Sequence, residues 1–344
     1  MRDRIYTNTE VSDYLAERLR AMPKIELHVH LEGATDAETV WAMAKKNNVS
    51  LPATSLDEWK AMYAFRDFNH FVEIYIQAAE CMKTPEDFTF MTERFLKHQS
   101  SQNVRYCEVF LSASLLIQKF PFDEIIDALQ EGAERGEKET GVQIRFIPDI
   151  ARHVPETSQG VLDFVLAGQK KGLFLGLGLG GPEVGFPPEL FTEVYEEARK
   201  SGLRVVAHAG ETVGPESVWG AIHALKSERI GHGVRSVEDP ELMDYLAEVQ
   251  IPLEVNPVSN YRLKVVPLDQ PHPIRELVDH GVFVTVNSDD PPMFSTDLNR
   301  EYLLLAQQGF TWEELWQLNK NAIEASFLGE EEKQAYRSEW NQSY

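Results

Sequence analysis

Five stretches of this chain carry side chains that bind metal ions or move protons. They are Ile25-Glu26-Leu27-His28-Val29-His30-Leu31-Glu32-Gly33, Gly178-Leu179-Gly180-Gly181-Pro182-Glu183, Val206-Ala207-His208-Ala209-Gly210-Glu211, Arg229-Ile230-Gly231-His232-Gly233 and Val286-Asn287-Ser288-Asp289-Asp290-Pro291-Pro292. The first alternates apolar and polar residues, the period of a β-strand. His28 and His30 are two apart, so both imidazoles face one side, which is half of a metal site. His208 and Asp289 complete a set of three nitrogen donors and one oxygen donor. That set suits Zn2+, though also iron, cobalt or nickel. An ion held there would lower the pKa of a bound water to about 7 and so generate hydroxide at neutral pH.

Three further residues have the chemistry to act beside such an ion. Glu211 follows His208 beyond a glycine and can reach a substrate as a general acid; the alternative is a helix N-cap. His232, between two glycines, has room to orient or deprotonate water; the alternative is a structural histidine. Adjacent carboxylates such as Asp289 and Asp290 repel one another unless their partners differ, as with a metal on one and a ligand N–H on the other. Gly178, Gly180 and Gly181 lack the Gly-Lys-Ser/Thr of a phosphate loop and fit close backbone approach to a flat ligand. Many two-metal hydrolases carry a bridging lysine where Gly180 and Gly181 stand, so one ion per subunit is expected. No His-x-Glu with Pro-Cys-x-x-Cys and no Gly-x-Ser-x-Gly occurs, which argues against a cytidine-type deaminase and an acyl-transfer triad.

These stretches need a frame that brings them together. Strand-like runs recur at 24–30, 104–111, 142–149, 173–179, 203–208, 229–232, 251–256 and 282–287. Between them lie amphipathic helical runs, among them 85–101, 122–140, 187–200, 238–249 and 272–280, after a leading helix at 11–21. Eight strands alternating with helices most simply close into a (β/α)8 TIM barrel, with an open doubly wound sheet as the alternative. The chemical residues then fall at carboxyl ends of strands, where barrel active sites are built. The long first gap holds two or three extra helices, at about 35–47, 56–63 and 68–82. Its aromatic segment Trp59, Met62, Tyr63, Phe65, Phe68 and Phe71 is either a lid over a pocket or core packing. Residues 1–344 are expected to form one domain, with the barrel over about 20–295 and helices over about 296–340 outside it.

Composition sets limits on partners. The chain has 344 residues, is 43% hydrophobic and carries a formal charge of −22. That charge repels nucleic-acid phosphates and anionic membranes, so a small-molecule substrate is expected and neither nucleic acid nor membrane. The two cysteines, Cys81 and Cys107, form no Cys-x-x-Cys pair. No apolar run is long enough for a span and no apolar signal segment opens the chain, so the cytoplasm is the expected compartment. Oligomeric state is not legible.

The chain resembles the adenosine deaminase family of metal-dependent amidohydrolases. The matching pieces are Pro23-Lys24-Ile25-Glu26-Leu27-His28-Val29-His30-Leu31-Glu32-Gly33, Leu179-Gly180-Gly181, His208-Ala209-Gly210-Glu211, Arg229-Ile230-Gly231-His232-Gly233 and Asn287-Ser288-Asp289-Asp290-Pro291, in family order. The resemblance implies that His28, His30, His208 and Asp289 ligate zinc. It implies that Glu211 protonates the purine N1 and that His232 acts on the zinc-bound water. Asp290 would bond the purine N7 and the backbone N–H of Gly181 the purine N3, with Glu32 and His30 also facing substrate. The implied reaction is hydrolytic deamination of adenosine or a close 6-aminopurine nucleoside, releasing ammonia. Two departures bear on specificity: Glu32 replaces the aspartate of typical adenosine deaminases, and Pro182-Glu183 replaces their Asp-Glu. Both look more like relatives acting on aminodeoxyfutalosine or adenine. A barrel hydrolase of another amide or ester is the remoter alternative.

Overall fold

The computed structural model describes residues 4–65 and 68–343. Eight parallel strands run in the order β1 to β8: Lys24–His30, Val104–Leu111, Gln143–Ala151, Gly176–Gly180, Arg204–Ala209, Arg229–His232, Leu253–Val255 and Val284–Val286. The ring closes just beyond β8, where Val29 bridges Asp289 in parallel: His30 N–H donates to Asp289 O at 3.0 Å, and Asp289 N–H to His28 O at 3.1 Å. The last link of the barrel is thus made by the residues that carry its chemistry. This is the expected (β/α)8 TIM barrel, and the open sheet is excluded by the closure.

One strand and one helix differ from their sequence runs because of backbone chemistry. β7 starts at Leu253 rather than 251, since Pro252 has no N–H to give and serves only through its carbonyl, which accepts from Ile230 N–H at 2.9 Å. The expected helix at 187–200 divides into a 3-10 turn, Pro188–Phe191, and an α-helix, Thr192–Lys200. The helix Phe122–Thr140 ends on Gly141 in the left-handed conformation, as its sequence leads one to expect. Among the short helices not evident in the sequence are Pro257–Arg262 after β7 and Pro291–Phe294 after Asp290. Both start on proline, whose fixed φ and missing N–H suit a first helical turn.

Alternation along the strands fills the barrel in layers. Phe110 of β2, Ile147 of β3 and Val206 of β5 meet inside, with Phe327 against them from below. Two residues further on, the same inward positions are Ser112, Asp149 and His208, at the carboxyl-end mouth. Phe327 enters the opposite end from the segment after the helix Trp312–Ala325. Its N–H donates to Glu108 at 2.6 Å, and the Arg229 guanidinium lies 3.9 Å over its ring. Part of the C-terminal region therefore plugs the barrel rather than only packing outside it.

The aromatic segment divides its work. Trp59 and Tyr63 are buried in the core. Phe65 and Phe71 stand 5.7 and 5.1 Å from Phe294, on the turn that follows Asp290, so they cover the mouth. The Phe68 side chain lies outside the described residues. No helix among the described residues is long and apolar enough to cross a membrane.

Candidate active site

The four residues expected as metal ligands converge at the mouth. His30 Nε2 lies 3.2 Å from His208 Nε2 and 3.3 Å from Asp289 Oδ1, and His28 Nε2 lies 3.4 Å from that same oxygen. Ligand atoms of His28, His208, His232 and Asp289 all fall within 4.8 Å of one another. His232 thus stands beside the four expected ligands, in the same cluster. Phe110 forms an apolar floor, with ring centroids 4.8, 5.2 and 5.1 Å from His28, His30 and His208. Close approach is possible at Gly231, where a Cβ would sit 2.7 Å from His28 Cε1.

Partners behind the rings fix which nitrogen faces inward. His208 Nδ1 lies 2.8 Å from the Leu179 carbonyl, which can only accept, so Nδ1 carries the proton and Nε2 a lone pair. His28 Nδ1 lies 2.8 Å from Glu254 Oε2, and by the same logic its Nε2 is a lone-pair donor. These tautomers are assigned from the hydrogen-bond network. Ser259 Oγ donates to Asp289 Oδ2 at 2.6 Å, which leaves Oδ1 to the imidazoles.

The cluster favours positive charge. Burial alone would lower the His30 pKa, but the Asp289 hydrogen bond and the charges of Asp290 and Asp289 outweigh it and raise it to about 10. Burial would raise Asp289, but the adjacent His28 and His30 imidazoles hold it well below the usual carboxylate range. His28 Nε2 is buried with no hydrogen-bond partner among the described residues. A cation between these atoms would satisfy all of this at once, so the donor set fits a divalent ion.

Residues of the substrate side surround the cluster. Burial, then the charges of Asp289, Glu183 and Asp290, pushes the Glu211 carboxyl well above its ordinary value. Burial and then Asp289 raise Asp290 to about 8. Glu32 Oε1 accepts from Ser112 N–H at 2.9 Å. Glu32 Oε2, Glu211 Oε1 and Asp290 Oδ1 join His28 Nε2 as buried atoms without a hydrogen-bond partner among the described residues. Such atoms cost stability unless a ligand pairs with them. Gly181 follows β4 with φ +84°. His232 and Asp289 also hold left-handed backbone, at φ 62° and 66°, which is uncommon for non-glycine residues and recurs at functional sites. Each stands where a strand ends and the chain must turn sharply to keep its side chain at the mouth.

Several residues here were missed in the sequence. Glu183 lies under the loop after β5: its carboxylate accepts from the N–H of Gly210, Glu211 and Thr212 at 3.0, 2.9 and 2.7 Å and from Ser217 Oγ at 2.6 Å. It thereby fixes the loop that carries Glu211. Glu254 ties His28 to Arg229, whose Nε is 2.5 Å from Glu254 Oε1. Arg229 also reaches Glu108 at 2.5 Å, all of it buried. Asp149 is 4% exposed, and its Oδ2 lies 2.6 Å from where a Gly180 Cβ would stand. Asp149 ends the expected third strand, so the rule that found His208 would have found it too. A charge in the middle of β7 was the corresponding signal for Glu254. In the sequence Glu183 marks only a departure bearing on specificity, and its hold on the loop gave no signal, because its partners there are mostly backbone amides.

Comparison with known proteins places this geometry. A family model described as adenosine deaminase matches residues 23–342. An adenine deaminase of Geotalea uraniireducens is 37% identical over 327 residues, covering 94% of this chain and 92% of that protein. An aminodeoxyfutalosine deaminase of Streptomyces avermitilis is 39% identical over 318 residues, covering 90% of this chain and 88% of the other. Among solved structures, an amidohydrolase from Burkholderia ambifaria with bound Zn superposes with a TM-score of 0.90 at 27% identity, covering 99% of this chain and 95% of that one.

Proposed function

The chain belongs to the adenosine deaminase family and is a hydrolytic deaminase, and on that premise we propose that it removes the 6-amino group of adenine or of the adenine ring in aminodeoxyfutalosine. Adenosine is the sequence's leading expectation, but the similar relatives carry the other two names, and those substrates fit better. The observation that carries the reading is the set of buried atoms without a hydrogen-bond partner among the described residues, on Glu32, Glu211 and Asp290, around the mouth beside the unpartnered His28 Nε2. A purine offers ring nitrogens and N–H groups to such carboxyls, and an ion would satisfy His28. We read residues 1–344 as one deaminase domain.

His28, His30, His208 and Asp289 would hold the ion, and three nitrogens with one oxygen suit zinc. Bound there, the ion supplies Lewis-acid activation of water. Glu211, kept protonated by burial, donates its proton to N1 and makes C6 electrophilic. Water adds at C6, the C6–N bond breaks, and ammonia leaves a 6-oxopurine. Asp290, protonated near neutrality, donates to N7. The Gly181 N–H meets N3 and holds the ring in plane. Phe65 and Phe71 shield the mouth from bulk water.

Two measurements test this. Ammonia release should be fastest, by kcat/KM, with adenine or aminodeoxyfutalosine, and adenosine should trail by about tenfold or more, a difference of about 1.4 kcal/mol in transition-state binding. Adenosine leading the series would return the assignment to the nucleoside. Glu183→Gln puts an amide N–H2 against backbone donors and so loosens the Glu211 loop. It is expected to lower kcat by about 10–100-fold with little change in KM. Unchanged kcat would show that the loop keeps its shape without this carboxylate.

A further inference from the structure

His232 is the one imidazole of the cluster whose Nδ1 faces side-chain amide donors. Its Nδ1 lies 3.2 Å from Asn256 Nδ2 and 3.2 Å from Asn260 Nδ2, while Glu211 Oε1, at 3.6 Å, is beyond hydrogen-bond distance. Each amide is oriented by a second contact. Asn256 Nδ2 also donates to the Glu254 carbonyl at 3.1 Å, so its N–H2 end is identified. Asn260 Oδ1 lies 3.2 Å from His272 Nε2, and His272 Nδ1 accepts from the Ile274 backbone N–H at 3.0 Å. A backbone N–H can only donate. His272 Nδ1 is therefore the lone-pair nitrogen and its Nε2 carries the proton. Asn260 Oδ1 accepts that proton's hydrogen bond and turns Nδ2 toward His232. His232 Nδ1 must accept, and its own proton must sit on Nε2.

We propose that Asn256, Asn260 and His272 are positioning residues that hold His232 as its Nε2–H tautomer, so that His232 meets the reacting oxygen as a hydrogen-bond donor and not as a base. All four side chains are buried. A ring nitrogen that accepts carries no proton, so the donors at His232 Nδ1 and His272 Nδ1 leave each ring one N–H, at Nε2. A donor at that place stabilises negative charge developing on the oxygen that adds to C6. It also keeps His232 out of the metal set, since a protonated Nε2 has no lone pair to give. The inference rests on the deaminase reading.

The test is 15N NMR of the zinc-loaded, histidine-labelled enzyme, with His232 signals assigned by their loss in His232→Gln. The expected pattern is a pyrrole-type Nε2 and a pyridine-type Nδ1. Asn256→Asp and Asn260→Asp each set a carboxylate against Nδ1, should move the proton there, and should lower kcat by about 100-fold with zinc content and KM kept. His272→Gln retains an N–H donor to Asn260 and should keep kcat within about threefold, whereas His272→Leu, which frees that amide to rotate, should lower it. A wild-type His232 protonated on Nδ1 overturns the inference. So do aspartate variants that lose kcat while Nε2 stays pyrrole-type, since that marks a merely structural role. Absence of ammonia release from every purine tried would instead defeat the deaminase reading, and the nitrogen pattern would still decide the tautomer.

Discussion

Glu211→Gln is expected to lose about 10²–10⁴-fold in kcat while zinc stays bound and the fold is unchanged. Glutamine keeps the size and the outward hydrogen-bonding atoms of the side chain but has no acidic proton. The Glu211 backbone amide would still be held by Glu183 at 2.9 Å, so the loop stays in place and the loss reports on the proton itself. The wild-type rate carries the same signature in pH. Burial and nearby carboxylates raise the Glu211 pKa, so the protonated form that the proposed acid role requires is present at low pH and is lost only as pH rises through that raised value. The variant should lose this alkaline limb along with the rate. Near-normal turnover, or an alkaline limb that persists in the variant, would take Glu211 out of the acid role.

Glu254→Ala should give the largest loss of stability. It strands the buried His28 Nδ1 and removes one of the two carboxylates on the buried Arg229 guanidinium, leaving Glu108 as the other. Breaking a buried, hydrogen-bonded pair costs about 3–5 kcal/mol, because the remaining charge has no water to turn to. Second, the His28 ring would no longer be oriented. Loss of such an outer partner typically weakens metal binding by about 10–100-fold. Denaturant midpoints with and without added zinc, together with zinc content after dialysis, separate the two effects. A midpoint and zinc content equal to wild type would show that Arg229 and Glu108 support the strand ends without Glu254.

The sequence made the barrel and the front of the site legible because both rest on short-range spacing. His28 and His30 share a strand face, and Asp289 and Asp290 sit at the last strand end, where a single local rule finds them. What stood behind them was hidden for a physical reason. Glu254 bonds a histidine 226 residues away, and Glu183 bonds amides 27 to 30 residues away that look like any others. Asn260 and His272 act through hydrogen-bond direction, a property with no trace in composition or periodicity. Element ends misjudged by a few residues came from proline, as at the helical turn from Pro188 and the strand after Pro252, where a missing N–H overrides the pattern. The substrate side was the least legible. Glu32 signals a difference from adenosine-acting relatives, but a carboxylate with one oxygen on Ser112 and one unpaired states only that a donor belongs there.

The plug at the base of the barrel has a consequence for how the protein comes into being. Arg229 touches Glu254 behind His28, Glu108 of β2, and the carbonyl of Ala325, while Phe327 seals the same end. During translation the strand bearing His28 leaves the ribosome almost three hundred residues before the segment that locks its support. Asp289, which closes the ring, also arrives late. A nascent chain therefore displays its histidines for most of its synthesis without the geometry to hold an ion well. On the proposed reading, an ion would be held well only once Asp289 and the segment through Phe327 are both in place.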